Sequence, residues 1–237
     1  MSLLQSNLKK NNYKVFDKIA YRYDLLNLIL SIGLDGFWRK KISKFLPKFN
    51  KLMLLDVATG TGELLFSLIK NHKIISAIGL DMSLKMLMYA KIKLKTNKQK
   101  NKIKLVSGNA CYLPFSNNTF NVVTIAFGIR NIDNILDCLC EINRVLVKNG
   151  RIIILEFSLP KNRLLKTFYL IYLRYIVPIL GFIIANDYAA YKYLNQSIES
   201  FNSDNKFLYL IRKSGIKKLQ IVHLTFGIVT IYVGDKI

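Results

Sequence analysis

The chain has 237 residues, 51% of them hydrophobic, enough for one substantial core but short for two independent ones. Thirty-six Lys and Arg against fourteen Asp and Glu give a formal net charge of +22, which favours polyanionic partners, nucleic acid or an anionic membrane face; a composition rich in Lys, Asn, Ile, Tyr and Phe throughout explains the same surplus without selection for a partner. Cys111, Cys138 and Cys140 are an odd number with no C-x-x-C pair, so neither a disulfide framework nor a zinc site is indicated and a reducing compartment is expected.

The opening MSLLQSNLKKNNYK has no long apolar run followed by small residues, so no secretory signal is expected, and a cytosolic protein follows. Leu3 to Pro47 reads as helical, packed over a sheet or its mouth. Leu52 to Val57 then predicts a first strand, Gly62 to Lys70 a helix and Ile74 to Leu80 a second strand. Ser83 to Lys95 predicts a helix with Ser83 as N-cap and Leu84, Leu87, Met88 and Lys91 at helical spacing. Ile103 to Val106, Val122 to Phe127 and Arg151 to Phe157 supply three more strands, with a helix from Asn134 to Val147 before the last. This alternation implies a mostly parallel sheet covered by helices on both faces. From Pro160 to Asn202 the pattern turns apolar, aromatic and helical. Lys218 to Leu224 and Ile228 to Val233 form a closing hairpin around Phe226-Gly227, whose last strand is expected antiparallel at the sheet edge. Phe168 to Ala185 is about as long as a minimal membrane span, but Arg174 and Pro178 inside it argue against spanning.

In LLDVATGTGEL a buried strand ends at Asp56 and turns through Gly60-Thr61-Gly62 into a helix. Glycine there permits positive φ and close approach of a ligand to backbone N–H groups. A dinucleotide fingerprint would need glycine where Leu65 stands, which demotes an NAD site. Asp81 ends the second strand at the spacing where a carboxylate reaches a ribose diol in doubly wound folds; taken alone it could merely cap the next helix. Gly108-Asn109-Ala110 follows the third strand, where Asn109 could meet a base or simply cap a turn, and Leu113 and Phe115 could wall the base.

These segments, DVATGTGEL, GLDMS, GNACYLPFSNNTF, AFGIRNI and RVLVKNGRIIILEFS, resemble the class I methyltransferase fold, and more narrowly the ubiquinone/menaquinone biosynthesis C-methyltransferase family of the UbiE/MenG type. YDLLNLILSIGLDGFW resembles its amino-terminal signature and YKYLNQSIESF with LTFGIVTIYVGDK its carboxy-terminal one, so the likeness runs from about Phe16 to Lys236. It implies an α/β, Rossmann-like fold with a seven-stranded, mostly parallel sheet, an antiparallel last strand and a helical cover. A single domain over 1–237 would comprise a helical cap (1–50), a cofactor-binding core (51–158), an apolar helical cover (159–203) and a helix with the closing hairpin (204–237).

The resemblance further implies S-adenosylmethionine as cofactor, contacted by Thr61, Asp81, Met82, Asn109 and Ala110, with Asp56, Gly60 and Gly62 shaping its loop, and no metal. Three positions depart from the family pattern: Ala126 where Ser is usual, Asp35 where His is expected and Leu26 where Met is expected. Val147-Lys148-Asn149 replaces Lys-Pro-Gly, a turn variation. The implied reaction methylates a ring carbon of a polyprenylated quinol, demethylmenaquinol first and the benzoquinol precursor of ubiquinone second. Arg130 and Asn131 would face the substrate, Arg130 stabilising a developing phenolate, with Tyr23 and Asp24 next for orienting or accepting a proton. Arg130 could instead pair with Asp133; Glu156, at the end of the fifth strand, could be a base or could equally pair with Arg151 or a backbone amide. The apolar cover suits peripheral contact with the inner face of the cytoplasmic membrane, with a homodimer interface or plain core as alternatives. Dispersed charge and the lack of an aromatic-basic motif argue against nucleic acid as a partner. A non-catalytic quinone-binding scaffold of the same fold stays open on Ala126 and Asp35.

Overall fold

Seven apolar runs form one sheet in the computed structural model, which describes residues 16–17, 19–185, 188–201 and 204–237. The expected helical segment before Phe16, and residues 186–187 and 202–203 of the apolar region, lie outside them. The strands are β1 (Leu52–Val57), β2 (Ile74–Asp81), β3 (Ile103–Ser107), β4 (Phe120–Ala126), β5 (Leu146–Phe157), β6 (Lys217–Leu224) and β7 (Val229–Asp235). Their spatial order is β3-β2-β1-β4-β5-β7-β6. The first five pair in parallel, and β7 runs antiparallel to both of its neighbours. Leu52, Leu54, Leu55 and Val57 of β1 are all buried, the signature of a central parallel strand covered on both faces. Strand order reverses beside β1, so the connections leaving the carboxyl ends of β1 and β4 turn to opposite faces of the sheet and leave a crevice between them.

The antiparallel strand is not at the edge, as the sequence suggests, but between β5 and β6. Burial explains the exchange: Val229 to Gly234 are buried without a break, whereas β6 is exposed at most of its positions and tolerates the rim. The turn between them, Thr225–Gly227, holds Phe226 at φ 57° and Gly227 at φ 90°.

Nine helices are described: α1 (Tyr23–Leu30), α2 (Asp35–Ile42), α3 (Glu63–Leu68), α4 (Leu84–Thr96), α5 (Ile135–Val145), α6 (Arg163–Ile171), α7 (Val177–Ala185), α8 (Tyr188–Ser200) and α9 (Asp204–Lys213). One apolar layer gathers Trp38 and Ile42 of α2, Leu64, Leu65 and Leu68 of α3, Tyr169 of α6 and Leu194 and Ile198 of α8. The other gathers Cys138, Leu139 and Ile142 of α5 with Phe207, Leu208 and Ile211 of α9. Trp38 is the largest fully buried side chain, and its indole N–H donates to the Thr225 hydroxyl at 2.8 Å, tying α2 to the β6–β7 turn.

Ser83 caps α4 as expected, its hydroxyl oxygen accepting the Met86 N–H at 3.1 Å. The buried face of α4 is nevertheless Met86, Leu87 and Ala90, while Leu84 and Met88 face solvent, so only Leu87 of the expected stripe packs inward. Between α6 and α7 the chain passes through a π-helical turn, Tyr172–Ile176. The helical run Arg163–Phe182, 20 residues whose most apolar 18-residue stretch has mean hydropathy 1.4, meets the length and composition of a membrane span, yet Tyr169, Leu173 and Val177 form one buried stripe that docks it on the core. Arg174 is answered by Glu199 of α8 at 2.6 Å.

Candidate active site

The bend after β1 is built on backbone conformations that few residues adopt. Ala58, Gly60 and Gly62 have φ of 53°, 57° and 85°. A Cβ on Gly62 would stand 2.5 Å from the Phe66 ring, so that position demands glycine twice over. Asp56 points under the bend and accepts the hydroxyls of Thr59 and Thr124 at 2.7 and 2.6 Å. Burial pushes its carboxyl up to about 6 against the pull of those two hydrogen bonds.

Asp81 does turn toward the bend. One carboxylate oxygen accepts the Gly60 N–H at 2.8 Å and the other the Ser83 N–H at 2.8 Å. Desolvation raises its carboxyl and the backbone donors oppose the shift. A cleft of about 850 Å³, mouth included, joins Gly60 and Asp81 to Met82, Asn109, Ala110 and Asn131, all six expected at a site, with Tyr23 on its wall. Asn109 keeps its local role too, its side-chain oxygen accepting the Cys111 N–H at 2.9 Å.

The cleft also takes in residues that were not expected at the site, chiefly Met86, Phe127, Gly128, Ile132 and Asp133. Met86 carried a signal, since it sits three residues after the Ser83 cap. Gly128 marks a close approach: a Cβ there would lie 2.6 Å from that of Ala58, so the ends of β1 and β4 nearly touch beneath the cleft. Ala126, left aside as a departure, lines it as well. Leu113 and Phe115, expected to wall a base, do not. Leu113 is buried in the core, and Phe115 packs edge-on against Phe120 at 5.1 Å between ring centres. Arg144 turns their loop inward by donating to the carbonyls of Leu113 and Phe115 at 3.0 and 2.8 Å, while Glu141 accepts the Leu113 N–H at 2.8 Å.

Thr61 is buried and faces away from the large cleft, toward a smaller cavity shared with Asp56, Tyr23 and Arg39. Its hydroxyl donates to Asp24 at 2.6 Å, and the other Asp24 oxygen takes the Lys93 ammonium, which also reaches Glu63 at 2.6 Å. Tyr23 lies over the bend: a Cβ on Gly60 would be 3.7 Å from its ring. Burial pushes the Tyr23 phenol up, and the Arg130 charge offsets part of the shift. Asp35, the first residue of α2, accepts from Ser31 at 3.3 Å and pairs with Arg39 one turn on at 3.2 Å.

Arg130 pairs not with Asp133 but with Glu156, at 2.5 Å, both side chains essentially inaccessible. It also donates to the Phe127 carbonyl at 2.7 Å and to the Ser197 hydroxyl at 3.1 Å, and lies 5.5 Å over the Phe157 ring. Glu156 accepts the Phe157 N–H at 2.8 Å as well, the backbone-amide alternative, while Arg151, the other partner considered for it, pairs with Asp235 at 2.6 Å. Arg130 is thus held beside the cleft, and its chain neighbour Asn131 lines it, accepting the Tyr193 hydroxyl at 3.1 Å.

An acid braced on a glycine bend, an apolar slot and backbone groups at three strand ends form a set that could hold a nucleoside. Comparison with known proteins agrees. The ubiE/COQ5 methyltransferase family model matches residues 5–236. The demethylmenaquinone methyltransferase of Bacteroides fragilis is 36% identical over 94% of this chain and 91% of its own length. The ubiquinone/menaquinone biosynthesis C-methyltransferase UbiE of Rickettsia prowazekii is 40% identical over 94% and 91%. Among solved structures, an S-adenosylmethionine-dependent methyltransferase from Thermotoga maritima superposes with a TM-score of 0.67 at 18% identity, covering 95% of this chain and 100% of its own. A putative one from Methanococcus maripaludis gives 0.68 at 18%, covering 93% of each chain.

Proposed function

Because the chain belongs to the ubiE/COQ5 methyltransferase family, we propose that it moves a methyl group from S-adenosylmethionine to a ring carbon of a polyprenylated quinol, most directly demethylmenaquinol. Relatives bearing both the demethylmenaquinone and the ubiquinone/menaquinone names support that class, and keep the benzoquinol precursor of ubiquinone as the second substrate. The observation that carries the reading is Asp81 braced on the Gly60 amide at one wall of the cleft.

S-adenosylmethionine brings an electrophilic methyl group on a sulfonium. On this reading Asp81 offers its remaining lone pairs to the ribose hydroxyls, and Met82, Asn109 and Ala110 border the adenine. Asp56, Gly60, Thr61 and Gly62 keep the bend in shape. Attack by a ring carbon needs electron density that the quinol gains as a phenolic O–H ionises. Arg130 biases the site toward that phenolate, and Asn131 orients a ring oxygen. Tyr23, whose phenol is raised, stays protonated at neutral pH and serves as a donor. Asp24, engaged by Thr61 and Lys93, fastens α1 over the bend and helps to exclude water.

The exposed stripe Leu164, Phe168, Ile171, Tyr175, Ile179 and Phe182, flanked by Lys161, Arg163 and Lys166, supports peripheral contact with the inner face of the cytoplasmic membrane, where the prenyl tail resides. A homodimer through the same stripe is the alternative occupant. The reading is tested by incubating the protein with methyl-labelled cofactor and each quinol in detergent. Label on a ring carbon of at least one is expected; cofactor binding with neither quinol labelled would sink it.

A further inference from the structure

Two consecutive residues, Arg130 beside the cleft and Asn131 on its wall, are each held from the same face of α8. Ser197 accepts from the Arg130 Nε, and Tyr193, four residues earlier and so one turn away, donates to the Asn131 side-chain oxygen. Burial pushes the Tyr193 phenol up to about 12, which keeps it a donor. Beneath them Glu156, at the end of β5, accepts from the Arg130 Nη1, from the Phe157 N–H at 2.8 Å and, at a long 3.4 Å, from the Arg130 N–H. Glu156 is fully buried and lines neither the large cleft nor the smaller cavity beside Thr61, so it is placed behind the site rather than on its wall. Its charge is nevertheless what lets a guanidinium sit there at all, because an unpaired buried cation is strongly disfavoured.

We propose that Glu156 is a positioning residue of the transfer site: it fixes the guanidinium of Arg130 and, through the same turn, the amide of Asn131, so that the cover helix α8 and the sheet agree on one geometry at the reacting ring. The proposal rests on the C-methylation reading above. A cation swinging freely at this position would have to reorient during the reaction, whereas a pre-set one does not. Glu156→Gln keeps the shape and the acceptor for the Phe157 N–H but removes the charge that orients Arg130.

The test is a cycle of Glu156→Gln, Arg130→Gln and the double variant, read as turnover and quinol KM, with cofactor affinity measured separately by calorimetry. Glu156→Gln should lower turnover roughly 10- to 100-fold, less than loss of a direct donor, while cofactor affinity stays within about twofold of wild type. In the Arg130→Gln background, adding Glu156→Gln should change turnover by less than about twofold, since a residue acting through another has nothing left to act on. Glu156→Asp, which keeps the charge, should recover part of the loss. Full turnover in Glu156→Gln, an equal effect in both backgrounds, or cofactor affinity falling in step with turnover overturns the proposal. A wild type that binds cofactor but labels neither quinol overturns the functional reading and this one with it.

Discussion

The cofactor bend and the helical cover solve the same problem, holding polar groups still beside a cleft, by opposite means. At the bend most contacts are local in sequence, with Thr59 on Asp56, Ser83 on Asp81 and Asp81 reaching back 21 residues to Gly60, and Thr124 of the neighbouring strand on Asp56 is the exception. In the cover they are long-range and few, with Glu156 on Arg130, Ser197 on Arg130 and Tyr193 on Asn131 spanning 26 to 67 residues. A site built locally forms wherever its segment folds. One built from distant parts exists only when the whole sheet and its cover have closed, so its stability and its chemistry rise and fall together.

Arg130→Ala probes that contrast hardest. It leaves Glu156 buried without a cation, for which about 3–5 kcal/mol of destabilisation is typical, so urea unfolding should show a large loss alongside a fall in turnover. A stable, slow enzyme would instead separate chemistry from folding in the cover. Next comes Asp56, where the bend stores its own cost. Its folded carboxyl near 6 lies above the unfolded value of 3.8, so the folded state holds the proton more tightly and stability falls as pH rises from about 4 to about 6. Asp56→Asn lacks that decline, and its advantage over wild type should grow across this window to at most about 3 kcal/mol at pH 7. Unfolding at pH 4.5 and 7.5 measures it, and an equal difference at both would mean that Asp56 is not desolvated. The smallest effect on the fold is expected from Asp81→Ala, whose loss should appear as a roughly 10- to 100-fold weaker cofactor Kd by calorimetry, the scale of charge-assisted hydrogen bonds, with turnover at saturating cofactor largely kept. Turnover lost without loss of affinity would move Asp81 from binding to chemistry.

The same contrast decides what could be read from the chain. Strands β1 to β5 follow from dense runs of branched apolar residues, and the bend with Asp81 from turn chemistry that only a few residues can perform. Ion-pair partners did not follow, because nearness in sequence misleads across a sheet. Arg151 has Asp235 directly opposite it in the β5–β7 register, which frees Glu156 for Arg130. The face of α4 was obscured by Leu84 and Met88, apolar residues left in solvent, while Met86 turned inward to the cleft. Leu113 and Phe115 follow the grip of Arg144 on their carbonyls, a contact made about thirty residues away that no local pattern announces.

The interior position of β7 bears on how the molecule is made. Val229–Asp235 forms rungs with β5 on one side and β6 on the other, so β6 joins the sheet only through β7. Until β7 inserts, the outer rim of β5 and all of β6 offer unpaired amides and carbonyls to any passing chain, the state in which sheets aggregate. The folding chain is therefore most exposed to misassociation before β7 docks between β5 and β6.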